Sequence, residues 1–127
     1  MSTAAPAIAF VDPDPDWQRF PPAGIRLFLL FVEQTLKIGA REFVLVTVGA
    51  HHASVLVVAD RTPREIAQIE LTYYDQLTRF LKEGLFRQSV TAHLEGLGSR
   101  WEARIEWGDT AQGEGMTISL KAYLVGA

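Results

Sequence analysis

With 127 residues, 48% of them apolar and 21% charged, the chain has the length and composition of one globular domain with a core of its own. A formal charge of −3 leaves no basic footprint for nucleic acid or an anionic membrane surface. The absence of cysteine excludes a disulfide framework, a thiolate metal site and a cysteine nucleophile, and fits a cytoplasmic protein.

The start, Met1-Ser2-Thr3-Ala4-Ala5, lacks the basic region of a secretory signal, and Pro6 and Asp12 interrupt any apolar run behind it. Residues 1–23 hold five of the six prolines. Proline removes a backbone donor and fixes φ, so this stretch is expected to be an extended or disordered arm, not an element. Phe10, Trp17 and Phe20 are costly to leave in water, so parts of the arm are expected to dock on the domain or on a partner. The remainder, residues 24–127, is expected to form a single domain.

Residues 23–38 read as a helix ended by Gly39. Its apolar set (Ile25, Leu27, Phe28, Leu29, Leu30, Phe31, Val32, Leu36 and Ile38) is wider than one helical face, which calls for cover on more than one side. The most apolar run, residues 27–32, is far too short to span a bilayer, and no membrane insertion is expected. Residues 42–48 and 54–59 are β-branched runs around Gly49-Ala50-His51-His52-Ala53 and read as a β-hairpin. Neither run alternates, so the hairpin is expected to be covered on both faces. Surplus apolar surface on the helix and hairpin points to a protein partner or a homodimer. Phe28, Phe31 and Trp17 are the candidate aromatic anchors, with Val44, Val46 and Val57 on the hairpin.

Residues 60–84 admit two readings. Thr62-Pro63-Arg64-Glu65 has the form of a helix start, and Ile66, Ile69, Tyr73, Leu77 and Phe80 continue at helical spacing, which would make one helix over 63–83. The favoured reading is a short extended piece near 64–66 and a helix over 72–83, capped by Thr72 and closed by Gly84. Residues 88–125 alternate at period two, three times over. Val90, Ala92 and Leu94, then Trp101, Ala103, Ile105 and Trp107, then Met116, Ile118, Leu120, Ala122 and Leu124 form the dry face of a three-stranded meander. The expected fold class is α+β, with antiparallel sheets (the hairpin and the meander) packed with two helices.

Little in the chain has the form of a reactive site. His51 and His52 are neighbours in a turn and point apart, and His93 lies on the wet face of its strand, so no metal site is expected. Glu102, Arg104 and Glu106 share one strand face, where Arg104 would hold both carboxylates ionised, an ion-pair ladder more than an acid–base pair. No serine has a nucleophile setting, and Gly113-Glu114-Gly115 lies in no phosphate-binding motif. No catalytic residue and no cofactor is expected.

Several pieces, taken in order, carry a family resemblance. They are Gly39-Ala40-Arg41-Glu42-Phe43-Val44, then Val57-Val58-Ala59-Asp60, Arg64-Glu65-Ile66, Arg79-Phe80-Leu81-Lys82, Ala103-Arg104-Ile105-Glu106 and Gly113-Glu114-Gly115-Met116-Thr117-Ile118. This series resembles the domain that precedes the motor domain in ATPases of type II secretion and type IV pilus assembly. In that family, arginines of this domain reach the motor-bound nucleotide. Arg104 matches such a position here, but Glu106 stands where the family has Ser, and Leu56 and Val58 stand where it has further arginines. The resemblance therefore implies a degenerate, freestanding relative without the motor domain, with Arg104 a vestigial nucleotide-facing residue. The expected function is a non-catalytic cytoplasmic interaction module, an accessory or regulatory subunit of a pilus or secretion ATPase system. The alternative is a small-ligand sensor with a pocket between the meander and the second helix, lined by Tyr73, Tyr74, Trp101 and Trp107.

Overall fold

Seven strands form one antiparallel sheet, and two helices pack on one of its faces. The structure, a computed structural model, describes residues 7–110 and 113–123, with the backbone alone at 109, 110, 113 and 114. The elements are β1 (Ile8–Phe10), a 3-10 turn (Pro15–Arg19), α1 (Pro22–Lys37), β2 (Glu42–Val48), β3 (His52–Ala59), β4 (Thr62–Glu70), α2 (Leu71–Phe80), a π-helical turn (Leu81–Leu85), β5 (Thr91–Gly96), β6 (Ser99–Thr110) and β7 (Gly113–Tyr123). The spatial order is β1-β5-β6-β7-β2-β3-β4. The fold is α+β, and the hairpin and meander belong to a single sheet. β2 joins them by pairing with β7, Phe43 opposite Ile118 and Leu45 opposite Met116. Gly115 makes this junction possible: a Cβ there would sit 1.9 Å from the Leu45 carbonyl oxygen.

Strand parity sorts the side chains. Leu94, Trp101, Ala103, Ile105, Met116, Ile118, Phe43, Leu45, Val55 and Val57 all face the helices and enter one core with Phe28, Phe31 and Val32 of α1 and Leu77 and Phe80 of α2. The helices approach closely where α1 carries Gly24, whose Cβ would lie 2.7 Å from the Gln76 carbonyl oxygen. The meander's dry face ends sooner than its alternation suggests. Val90 precedes β5 and is exposed, Ala122 is exposed, and Trp107 lies past the core with the Lys82 ammonium 4.9 Å over its ring. Leu124 lies outside the described residues.

Of the two readings of residues 60–84, the structure has the favoured order, an extended piece and then a helix, and excludes one helix over 63–83. The strand is longer than expected: β4 runs nine residues and pairs with β3 along its length. Asp60 and Arg61, at φ 52° and 64°, make the two-residue turn whose twist suits a hairpin, and pairing with β3 overrides a helix-like start. Glu70, not Thr72, stands at the N-cap of α2. The proline-rich arm is no featureless segment. Within it, Ile8–Phe10 adds a strand to β5, Asp14 caps the 3-10 turn through its side chain, and α1 begins at Pro22, where a missing N–H costs nothing.

Candidate functional site

The residues expected to meet a partner are mostly core. Phe28, Phe31 and Val57 are at most 2% exposed, and each faces the interior between sheet and helices. Most of the wide apolar arc of α1 is covered by the chain itself, with Leu30 and Ile38 left exposed: the sheet lies on one side, α2 on another, and β1 on a third. Val44 and Val46 face away from the helices yet are also buried. Ser54 and Leu56 flank them in register on β3, and Gly115 and Thr117 on β7. Trp17 is half-buried, edge-on to Phe10 at 4.8 Å and to Phe80 at 5.3 Å. These six are not brought together as a surface.

Arg104 is exposed on the helix-free face, opposite Thr91 on one side and Ser119 on the other. It forms no ion pair with Glu102 or Glu106, so the expected ladder is absent; the neighbouring pair is Arg100 with Glu95 at 3.7 Å. His52 stands opposite Glu70 at one end of the sheet, and among the described residues no cluster of three metal-ligating side chains forms. The four aromatic residues expected to line a ligand pocket have separate neighbours. The Trp101 indole N–H donates to the Gly96 carbonyl at 3.0 Å, with Arg41 stacked 4.9 Å over its ring. Trp107 meets Lys82, Tyr74 packs on the core, and Tyr73 points into a groove beside β4. The space between the meander and α2 is itself core, filled by Phe80, Leu81, Ile105 and Met116.

That groove is a concave, largely apolar surface next to exposed apolar side chains. It has a volume of about 480 Å³ and runs between the first half of α1, the end of β4 and the start of α2. Leu27, Ile69 and Tyr73 line it; Arg26 stands on the helix bank, and Gln68 and Glu70 on the strand bank. Tyr73 is 44% exposed. Leu30, 42% exposed, extends the same surface, since residues three and four apart on a helix are neighbours and Leu30 follows Leu27 and Arg26 at those spacings. Apolar floor, opposite charges on the two banks and protruding aliphatic and aromatic side chains are the parts of a protein-docking surface.

Sequence reasoning placed the anchors on aromatic residues, Phe28, Phe31 and Trp17, and assigned Tyr73 to a different pocket, so it missed this surface. Helical angle held no signal that singles out Leu30, since Leu29 and Phe31 also stand about 200° apart on α1 and both are buried. The meeting of Ile69 with Leu27 depends on β4 running on as a strand to Ile69, which local spacing concealed. No helix among the described residues is long and apolar enough to cross a membrane. No known family and no curated protein matches the chain.

Proposed function

We propose that the protein is a non-catalytic, cytoplasmic interaction module that docks a protein partner in the groove between α1 and β4. The observation that carries this reading is the groove itself, with Leu27, Ile69 and Tyr73 presented beneath Arg26 on one bank and Glu70 on the other. The partner that fits presents an apolar ridge with an acidic group toward Arg26 and a basic group toward Glu70. The resemblance to the pre-motor domain of pilus and secretion ATPases makes such an ATPase the first partner to test. Leu30→Asp and Tyr73→Asp chains, compared with wild type, should each lose at least about ten-fold in affinity for that partner, the scale of losing one anchor side chain. A stable complex that both variants leave unchanged would exclude the groove.

A second reading uses the same surface between two copies. Arg26 and Glu70, opposite in sign across one groove, are self-complementary about a two-fold axis: each copy's arginine would meet the other's glutamate. Light scattering decides between the readings. A dimer that dissociates on Arg26→Glu and re-forms on Arg26→Glu with Glu70→Arg would support self-association; a monomer at all concentrations would leave the partner reading alone.

A further inference from the structure

At the end of the sheet away from the groove, residues 7–19 cross the molecule as a strap. Their backbone hold is slight. β1 pairs with β5 at three positions, Ile8 with Gly96, Ala9 with Glu95 and Phe10 with Leu94. Beyond these, the Val11 amide donates to the His93 carbonyl at 3.2 Å and the Ala7 amide to the Glu33 carboxylate at 2.9 Å. The side chains do the rest. Ile8 is fully buried, Phe10 stacks parallel to Phe28 at 6.1 Å, and Trp17 closes edge-on over Phe10 and Phe80. Between these anchors Asp12, Pro13 and Asp14 are exposed.

Beneath the strap lie an aromatic floor, Phe28 and Phe80, and one side of β5. Gly96 completes the seat: a Cβ there would come within 2.0 Å of the Ala7 carbonyl oxygen, so the cleft is shaped for a backbone lying flat against it. A strand edge beside an apolar floor is the geometry by which sheets capture extended peptides. The strap uses it incompletely. β5 spans six residues, Thr91–Gly96, and register pairing stops at Leu94, where the chain turns off into Asp12-Pro13.

We propose that the strap is a releasable, internal occupant of a peptide-docking cleft, displaced by an extended segment of a partner protein that pairs antiparallel along all of Thr91–Gly96. That segment would carry an aliphatic residue and, two positions on, an aromatic one, the pattern of Ile8-Ala9-Phe10. A longer ladder is what gives the partner an advantage over the strap. The strap of a second copy has no such advantage, since it makes the same three pairs and lacks the high effective concentration of the tethered one. This cleft is independent of the α1–β4 groove.

Two measurements test the proposal on the full chain. In hydrogen exchange, the Val11 amide should exchange at least about 100-fold faster than the Leu120 amide, which donates to the Arg41 carbonyl in the sheet centre; equal protection would overturn a releasable strap, whatever the variants do. The second uses a fluorescent peptide copying residues 7–14 with Asp12→Thr and Pro13→Val, which can pair along the whole of β5. It should bind the Phe10→Ala chain at least about ten-fold more tightly than wild type, because the competent open state is more populated. Equal binding to both chains, or no binding to a folded Phe10→Ala chain, would overturn the cleft. Dimerisation of Phe10→Ala by strap exchange would overturn the choice of a partner segment over a second copy.

Discussion

The two edges of the one sheet are built on opposite plans. At one edge β1 is three residues long and stays in place through aromatic contacts, Phe10 on Phe28 and Trp17 on Phe80. At the other, β4 is nine residues long and held by its ladder to β3. The long edge is also guarded. Pro63 removes a donor, Ile66 is an extra residue in a bulge opposite Val55 and Leu56, and Glu65 places a charge on the outer face. An unguarded edge of nine residues would invite other strands. The guarded edge leaves side-chain recognition, in the groove under Ile69, as the way to meet a partner there. The short edge is blunted differently, by a strand of three residues that ends at Asp12-Pro13. One edge is thus a fixed wall, the other a removable cover.

The largest effect should come from the floor beneath the cover. Phe28→Ala should cost about 3–5 kcal/mol in denaturant unfolding, as expected for a fully buried aromatic, and should loosen the strap as well. Phe10→Ala should cost less, about 1–2 kcal/mol, because Phe10 is only partly buried; its signature should be faster exchange at Val11 with little change at Leu120. A uniform loss of protection would make the strap part of the global unit. At the wall, the Glu65 carboxylate accepts a hydrogen bond from the buried Ser54 hydroxyl and two from Gln68. Glu65→Ala strands the Ser54 hydroxyl and should cost about 1 kcal/mol, with β4 still paired to β3 by cross-strand amide contacts in NMR. Leu30→Asp and Tyr73→Asp should change stability by no more than about 0.5 kcal/mol, since both side chains are exposed. Larger losses would mean that the groove serves folding and not docking.

How much of this could be read from the chain follows the range of the interactions. The meander was legible because a period of two leaves its mark on each strand separately, as in Trp101, Ala103 and Ile105. The hairpin was legible from its β-branched runs and its central Gly49. β4 was legible in kind, as an extended piece near 64–66 before a helix, but not in length. Ile66, Ile69 and Tyr73 keep helical spacing by coincidence across a bulge and a strand–helix junction, and only the pairing with β3 carries the strand from Thr62 to Glu70. β1 was hidden for a similar reason, since three residues between prolines become a strand only when β5 lies beside them. The expected partner-binding set is mostly buried, for one physical reason. A helix that is apolar over a wide arc needs cover, but its own sheet, α2 and the strap supply it, so Phe28 and Phe31 are core. Val44 and Val46, read correctly as lying in a hairpin buried on both faces, are likewise unavailable to a partner. Beside the α1–β4 groove, the large apolar side chains that reach solvent are Leu30 and the tyrosine at the first turn of α2, Tyr73.

Site-specific photo-cross-linking of the full chain in its native cells tests the central claim, docking in the α1–β4 groove, most directly. A photoreactive phenylalanine analogue would replace Leu30 or Tyr73, and in control chains Glu65 on the guarded edge or Glu102 on the helix-free face. The groove positions should yield one discrete cross-linked protein, and the two controls should yield none. A cross-link of equal strength at Glu65 or Glu102, or silence at both Leu30 and Tyr73, would contradict the assignment of the groove as the docking surface.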